Sequence, residues 1–222
     1  MDLRRHTDVI AENLPLDGAI IVDVGCGSGG LARWLARQCR LVVGVDPQPG
    51  PLSVARRNSD GHVRVVAATA EALPLATGSV DVAIVFNSLH HFANPATGLE
   101  EAARVVKPKG NLLVAEPLAA GAYFELMQPI DDETAIRARA LEAVDATELS
   151  LVKRIDYAYE VVVADLEAAI DGWLAVDPTR RTTIDAARDE LADRFARVGQ
   201  SHERGWRFRQ PMRMFVLTPS RA

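Results

Sequence analysis

The chain of 222 residues is poor in cysteine and contains no long apolar run. Its two cysteines, Cys26 and Cys39, belong to no Cys-x-x-Cys pair. This scarcity disfavours a disulfide framework and a structural zinc site, so we predict no metal. The longest apolar stretches, such as Val80 to Phe86, are far shorter than the ~20 residues that cross a bilayer. We therefore predict no membrane span.

The sequence also lacks an excess of positive charge. It has 25 Lys and Arg against 30 Asp and Glu, a formal net charge of −5. A nucleic-acid footprint needs a basic face, so we expect no nucleic-acid partner. Residues 1–6 are charged, which is untypical of an export signal, and we expect a cytoplasmic location. The 48% of hydrophobic residues suffice for the core of a single domain over 1–222.

Short β-branched runs alternate with helical stretches between Ala19 and Pro117. Near-continuous apolar runs predict the buried strands of a parallel sheet, and they lie at 19–24, 41–45, 62–66, 80–86 and 111–116. Asn94-Pro95 is typical of a helix N-cap followed by proline at the first helical position. The alternation predicts an α/β fold with a doubly wound, mostly parallel, Rossmann-like sheet and helices on both faces.

After Pro117 the pattern changes. Helices are predicted at 121–128, 133–144, 166–175 and 184–198, and strands at 155–163 and 206–217 bring the sheet to seven strands. The helical stretch between the last two strands is long for a simple connection. We therefore predict a helical lid insertion at about 165–199.

The first predicted strand runs into a glycine-rich turn, Gly25 to Gly30. Such glycines let the backbone approach a ligand at the carboxyl edge of a parallel sheet. The turn also satisfies G-x-G-x-x-G, so a nicotinamide dinucleotide is an alternative ligand, and a turn without any ligand is another. Asp23 lies where a buried strand favours an apolar side chain, and its carboxylate could hold a ligand ammonium group. Asp46 ends the second strand, where an acid can accept the hydroxyls of an adenosine ribose; it could equally be an ordinary turn residue before Pro47.

Five segments in this order resemble the class I S-adenosylmethionine-dependent methyltransferases. They are IVDVGCGSG at 21–29, VGVD at 43–46, AEALPL at 70–75, GSVDVAIVFNSLHHF at 78–92 and VVKPKGNLLVAEP at 105–117. The resemblance is to the small-molecule branch that includes ubiquinone and menaquinone biosynthesis enzymes. Several motifs in order are more specific than one glycine loop, so a methyltransferase is favoured over a dehydrogenase.

The resemblance implies a cofactor, S-adenosyl-L-methionine, which leaves as S-adenosyl-L-homocysteine. The methionine end of the cofactor would face the glycine turn, and its ribose would be held by Asp46. Its adenine would lie by Ala70, and the end of the fourth strand would lie beneath the cofactor. The predicted cofactor-binding residues are Asp23, Gly25, Cys26, Gly27, Gly29, Asp46, Pro47, Thr69, Ala70, Glu71, Asn87 and Leu89. The family usually has an acid where this chain has Thr69, and a hydroxyl is a weaker acceptor. Glu71 could instead be a solvated acid at a helix start.

Methyl transfer from a sulfonium is an in-line displacement that needs positioning and exclusion of water rather than a covalent intermediate. A general base is needed only where the acceptor loses a proton. The predicted catalytic candidates are His91 and His90, which could equally pack beside the cofactor. Cys26 is interpreted as a small packing residue rather than a nucleophile.

We therefore predict an enzyme that methylates a small-molecule acceptor. The alternatives are a methyltransferase acting on tRNA or protein and a non-catalytic cofactor-binding homologue. The predicted parts of the single domain are a capping helix at 1–14, a cofactor-binding core at 18–117 and a C-terminal half at 118–222. A homodimer is an assembly that the sequence permits.

Overall fold

The computed structural model describes residues 1–59 and 61–219, which form two compact units. The larger unit comprises 5–116, 138–155 and the chain from Arg213 onward. The smaller unit comprises 1–4, 117–137 and 156–212.

The sheet has the predicted doubly wound arrangement. Its strands are β1 (Ile20–Val24), β2 (Leu41–Asp46), β3 (Val63–Ala67), β4 (Val80–Phe86), β5 (Val106–Pro117), β6 (Ser150–Val163), β7 (Gln200–His202) and β8 (Gly205–Thr218). The order is β3-β2-β1-β4-β5-β8-β6, and β7 pairs antiparallel with β8. The pairs β1–β2, β1–β4, β2–β3 and β4–β5 are parallel. The sheet therefore has an eighth, three-residue strand beyond the seven predicted.

Strand β5 begins five residues earlier than predicted. The predicted strand starts at residue 111, but Lys107-Pro108-Lys109-Gly110 also belongs to β5 and forms an irregularity in it. Val80 pairs with Val106, whereas Val82 pairs with Asn111, so the register shifts across this segment. Its lysine and proline side chains are not buried, which is why the sequence suggests a loop.

The larger unit also contains α1 (His6–Asn13), α2 (Gly30–Leu35), α3 (Pro49–Arg57) and α4 (Pro95–Val105). Asn94 caps α4, as predicted, because its side-chain oxygen accepts from the Thr97 N–H at 3.2 Å. The face of α4 with Leu99, Ala102 and Val105 packs into the core that the strands form. These buried strands and helices make the larger unit a rigid support for the loops at its strand ends.

The smaller unit contains α5 (Ala122–Met127), and α6 (Thr134–Asp145) starts in it and continues into the larger one. Its other helices are α7 (Leu166–Val176), α8 (Arg181–Ala186) and α9 (Arg188–Val198). The single helix predicted at 184–198 is thus two helices, separated at Ala187, whose φ is −97° and ψ 9°.

An apolar cluster forms the core of the smaller unit. Trp173 and Phe195 are 7% and 6% exposed within it. The Phe195 ring lies 4.9 Å from the Phe208 ring, between centroids. Both side chains are therefore core residues of this unit. Among the described residues, no helix combines the length and apolarity needed to cross a bilayer.

Candidate functional site

The carboxyl ends of β1 and β4 lie side by side, at the point where the strand order reverses. β1 pairs with β2 on one side and with β4 on the other. In a doubly wound sheet this reversal opens a crevice in which ligands bind. Most of the predicted site residues follow these strand ends or the neighbouring end of β2.

The glycine turn after β1 adopts left-handed backbone conformations at Gly25, Gly27 and Gly29, with φ of 78°, 52° and 77°. A Cβ on Gly25 would lie 2.5 Å from the Ser88 Cβ, so only glycine fits there. The Gly25 N–H donates to the Val45 carbonyl at 2.7 Å. The turn is thereby held between the ends of β2 and β4.

Asp46 fixes this turn with its carboxylate. Oδ2 accepts from the Gly27 N–H at 2.9 Å, and Oδ1 accepts from the Gln48 N–H at 2.8 Å. The side chain is buried, whereas the following Pro47 is exposed. Because each carboxylate oxygen has two lone pairs, Asp46 can hold the turn and still accept from a ligand hydroxyl.

Asp23 lies at the end of β1, 2% exposed. Its Oδ2 is buried and has no hydrogen-bond partner among residues 1–59 and 61–219. Burial, together with the nearby Asp46 carboxylate, raises the pKa of Asp23 to about 7. An orphaned carboxylate oxygen is costly unless a cation or a donor satisfies it. This position therefore fits the ammonium group of a ligand.

Cys26 is buried in the same turn. Burial and the two carboxylates Asp23 and Asp46 raise the pKa of its thiol to about 12. The thiolate, not the thiol, is the nucleophile, so this cysteine is not activated. A Cβ on Gly44 would lie 2.9 Å from the Cys26 Sγ, which is consistent with the packing role predicted for Cys26.

The segment after β3 contains Thr69, Ala70 and Glu71. Thr69 is exposed and Ala70 buried. The Glu71 carboxylate accepts from the Asn94 N–H at 3.1 Å, at the start of α4. Burial opposes ionisation of Glu71, but hydrogen bonds from Asn94 and Thr69 prevail and lower its pKa. Glu71 therefore connects this segment to α4 instead of being only solvated.

Asn87 directly follows β4 and has a φ of 52°, the one positive φ outside glycine in the described part of the chain. Its N–H donates to the Ala115 carbonyl at 2.8 Å. The next side chain, Ser88, donates through Oγ to the Val24 carbonyl at 2.8 Å. A left-handed non-glycine residue held by its surroundings is typical of functional loops.

The two predicted catalytic histidines face different environments. His90 is 2% exposed and its Nδ1 is hydrogen-bonded to the Glu116 carboxylate, whereas His91 is exposed. Their ring centroids lie 4.0 Å apart. Sequence reasoning missed Glu116, which is fully buried at the end of β5. Glu116 directly follows the apolar run Leu112 to Ala115 in the same predicted strand. An acid at this position is the signal that could have identified it.

His6, on α1, is not among the predicted cofactor-binding or catalytic residues, but it also lies at this site. Its ring lies 4.9 Å from the Phe86 ring, edge to face, beside Asn87. Burial lowers the pKa of His6 to about 4, so the ring is neutral at pH 7. Helix α1 thus contacts the carboxyl end of β4.

Residues 22–114 match the family model of a methyltransferase domain. This segment is therefore similar to methyltransferase domains. It contains the end of β1, all of β2 to β4, most of β5, the glycine turn, Asp23 and Asp46.

Two curated relatives match about half of the chain. A ubiquinone biosynthesis O-methyltransferase of Azorhizobium caulinodans is 39% identical over 117 residues, 51% of this chain and 46% of the relative. A demethylmenaquinone methyltransferase of Corynebacterium kroppenstedtii is 38% identical over 102 residues, 46% of this chain and 43% of the relative. The matched region spans a little under half the length of these relatives.

Solved structures share the fold over nearly the whole chain. A SAM dependent methyltransferase from Aquifex aeolicus is 13% identical with a TM-score of 0.59, covering 96% of this chain and 90% of its own. The 4+2 cyclase SpnF is 23% identical with a TM-score of 0.67, covering 97% of this chain and 80% of its own. At such identities the similarity shows the fold alone, and a cyclase shares this fold with methyltransferases.

Proposed function

We propose that this chain is an S-adenosyl-L-methionine-dependent methyltransferase that acts on a small molecule. The observation that carries the proposal is the buried, unpartnered Oδ2 of Asp23 beside the glycine turn and Asp46. A nicotinamide dinucleotide offers no amino-acid ammonium group to this carboxylate, whereas S-adenosyl-L-methionine does.

Each predicted cofactor-binding residue has a role in this proposal. Asp23 would hold the ammonium group and Asp46 the ribose hydroxyls, while Gly25, Cys26, Gly27 and Gly29 admit the ligand close to their backbone. Pro47 would flank the ribose, Thr69, Ala70 and Glu71 the adenine, and Asn87 and Leu89 the lower side. When bound, the cofactor supplies an electrophilic methyl group on a positively charged sulfur.

The chain's own residues would position the acceptor and exclude water rather than supply covalent catalysis. His91 is exposed and His90 buried, so only His91 is placed to exchange a proton with a solvent-side acceptor. His6 and Phe86 support the proposal that α1 caps the site. The lid role of 165–199, the homodimer and the division of a single domain over 1–222 remain predictions.

The acceptor class is proposed as a small molecule because the curated relatives are quinone biosynthesis methyltransferases. The formal net charge of −5 also opposes a tRNA substrate. The cyclase shows that a chain with this fold can have an activity other than methyl transfer, which is the alternative outcome of the test.

A labelled-methyl assay tests the proposal. The protein is incubated with methyl-labelled S-adenosyl-L-methionine and a bacterial metabolite extract, with total tRNA and with a protein extract in separate reactions. Label in an extractable small molecule is expected, and it should disappear with Asp46→Ala but persist with the exposed control Asp17→Asn. Label in tRNA or protein instead, or cofactor binding with no transfer to any acceptor, would overturn the assignment.

A further inference from the structure

A buried acid that methyl transfer does not require lies at the end of β5. Glu116 is fully buried, in the larger unit with the cofactor site. A buried carboxylate is expensive unless several donors satisfy it. The donors that surround Glu116 therefore indicate what it does.

Three groups of the turn that follows β4 converge on the Glu116 carboxylate. Oε1 accepts from the Ser88 N–H at 3.1 Å and from the Leu89 N–H at 2.9 Å. Oε2 is hydrogen-bonded to His90 Nδ1. This turn is the one that begins with Asn87 in its left-handed conformation. One side chain of β5 thus fixes three consecutive residues beyond the end of β4.

A carboxylate satisfies both backbone N–H groups with one oxygen and leaves the other to accept from His90, which then carries its proton on Nδ1. A glutamine could accept the two backbone bonds through its oxygen, but its NH₂ group would then face His90 Nδ1. Two donors cannot share one bond, so His90 would have to move its proton from Nδ1 to Nε2. Glu116 therefore fixes which nitrogen of His90 carries the proton.

The geometry points to Glu116 as a positioning residue that clamps residues 88–90 and holds His90 in its Nδ1–H tautomer. In this tautomer Nε2 is the acceptor nitrogen of the ring, which packs at a tilt against the His91 ring. The inference rests on the proposed function to the extent that Leu89 and the turn form the lower side of the cofactor site. The tautomer itself is a property of the protein without ligand.

The first test is ¹⁵N NMR of the ligand-free protein with labelled histidine at pH 7.5. The chain has five histidines, and the His90 signals are those that a His90→Asn variant lacks. Wild-type His90 is expected to carry its proton on Nδ1 alone, and Glu116→Gln should move it to Nε2. A wild-type ring protonated on Nε2 alone or on both nitrogens, or an unchanged tautomer in the variant, would overturn the inference.

The second test is calorimetric titration with S-adenosyl-L-homocysteine. Glu116→Gln keeps an acceptor for both backbone N–H groups, so its Kd should stay within about threefold of the wild-type value. Glu116→Ala removes every acceptor and should weaken binding at least ~10-fold, because the turn is no longer clamped. Equal effects of the two variants would refute the clamp.

A matched control is Glu101→Gln. Glu101 also accepts from a backbone N–H, that of Leu73 at 3.1 Å, but it lies on α4 and away from this turn. It should change neither the tautomer of His90 nor the affinity. If the wild-type protein does not bind S-adenosyl-L-homocysteine at all, the proposed function fails, while the NMR experiment still decides the role of Glu116.

Discussion

The buried Asp23 makes both the stability and the cofactor affinity of this protein depend on pH. Burial and the Asp46 carboxylate raise the pKa of Asp23 from 3.8 to about 7 in the folded protein. The folded state therefore binds a proton between about pH 4 and pH 7 that the unfolded chain has released. By linkage, the free energy of unfolding decreases as pH rises through this window and is constant for this group outside it.

The magnitude follows from the pKa values. Each pKa unit corresponds to about 1.4 kcal/mol, so Asp23 should lower the free energy of unfolding by about 3 kcal/mol between pH 4.5 and pH 8. Asp23→Asn removes this dependence, so its stability relative to the wild type should be about 3 kcal/mol higher at pH 8 than at pH 4.5. Denaturant unfolding at the two pH values measures the difference. The exposed Asp17→Asn serves as the control.

Binding of a ligand ammonium group should lower the pKa of Asp23, because a cation next to Asp23 favours the carboxylate. Below pH 7 the ligand must displace a proton, so the Kd of S-adenosyl-L-homocysteine should rise up to tenfold per pH unit. Between pH 8 and pH 5.5 this amounts to about 30-fold. Asp23→Asn should bind weakly at both pH values. A wild-type Kd that is constant over this range, or a pH dependence that survives in Asp23→Asn, would refute the reasoning.

Three further predictions concern residues around the same site. Asp46→Asn keeps one acceptor oxygen for the backbone but should weaken S-adenosyl-L-homocysteine binding at least ~10-fold in calorimetry, and an unchanged Kd would make Asp46 a turn former only. Gly25→Ala should lower the free energy of unfolding by more than about 2 kcal/mol, because its Cβ would clash and its φ is positive, whereas Gly30→Ala, with open space around it, should be neutral or stabilising. His6→Ala should reduce turnover more than cofactor affinity in the labelled-methyl assay, since it removes the ring that packs on Phe86 at the site; a loss confined to affinity would contradict a capping role.

Local patterns were sufficient to predict the sheet and the glycine turn. Strand β4 was predicted to the residue, because a buried parallel strand is an apolar run that ends where polar residues begin. The first five residues of β6 were missed, since Ser150 to Arg154 are exposed at the edge of the sheet and lack apolar alternation. The break between α8 and α9 at Ala187 was missed because no proline or glycine marks it in the sequence.

The site was predicted where a residue contradicts its own local pattern. Asp23 stood out as an acid in an apolar strand, and its burial without a partner is what such a signal means physically. Glu116 carries the same signal, but its role depends on donors that lie 26 to 28 positions away in sequence. The contact between His6 and Phe86 joins two segments that no periodicity relates. Contacts of this kind emerge only once the chain is folded.

The most direct test of the central claim is a calorimetric comparison of S-adenosyl-L-homocysteine and NAD⁺ on the wild-type protein at pH 8. The Asp23 carboxylate, the glycine turn and Asp46 predict a saturable isotherm for S-adenosyl-L-homocysteine and no binding heat for NAD⁺. Tight binding of NAD⁺ with no response to S-adenosyl-L-homocysteine would contradict the account.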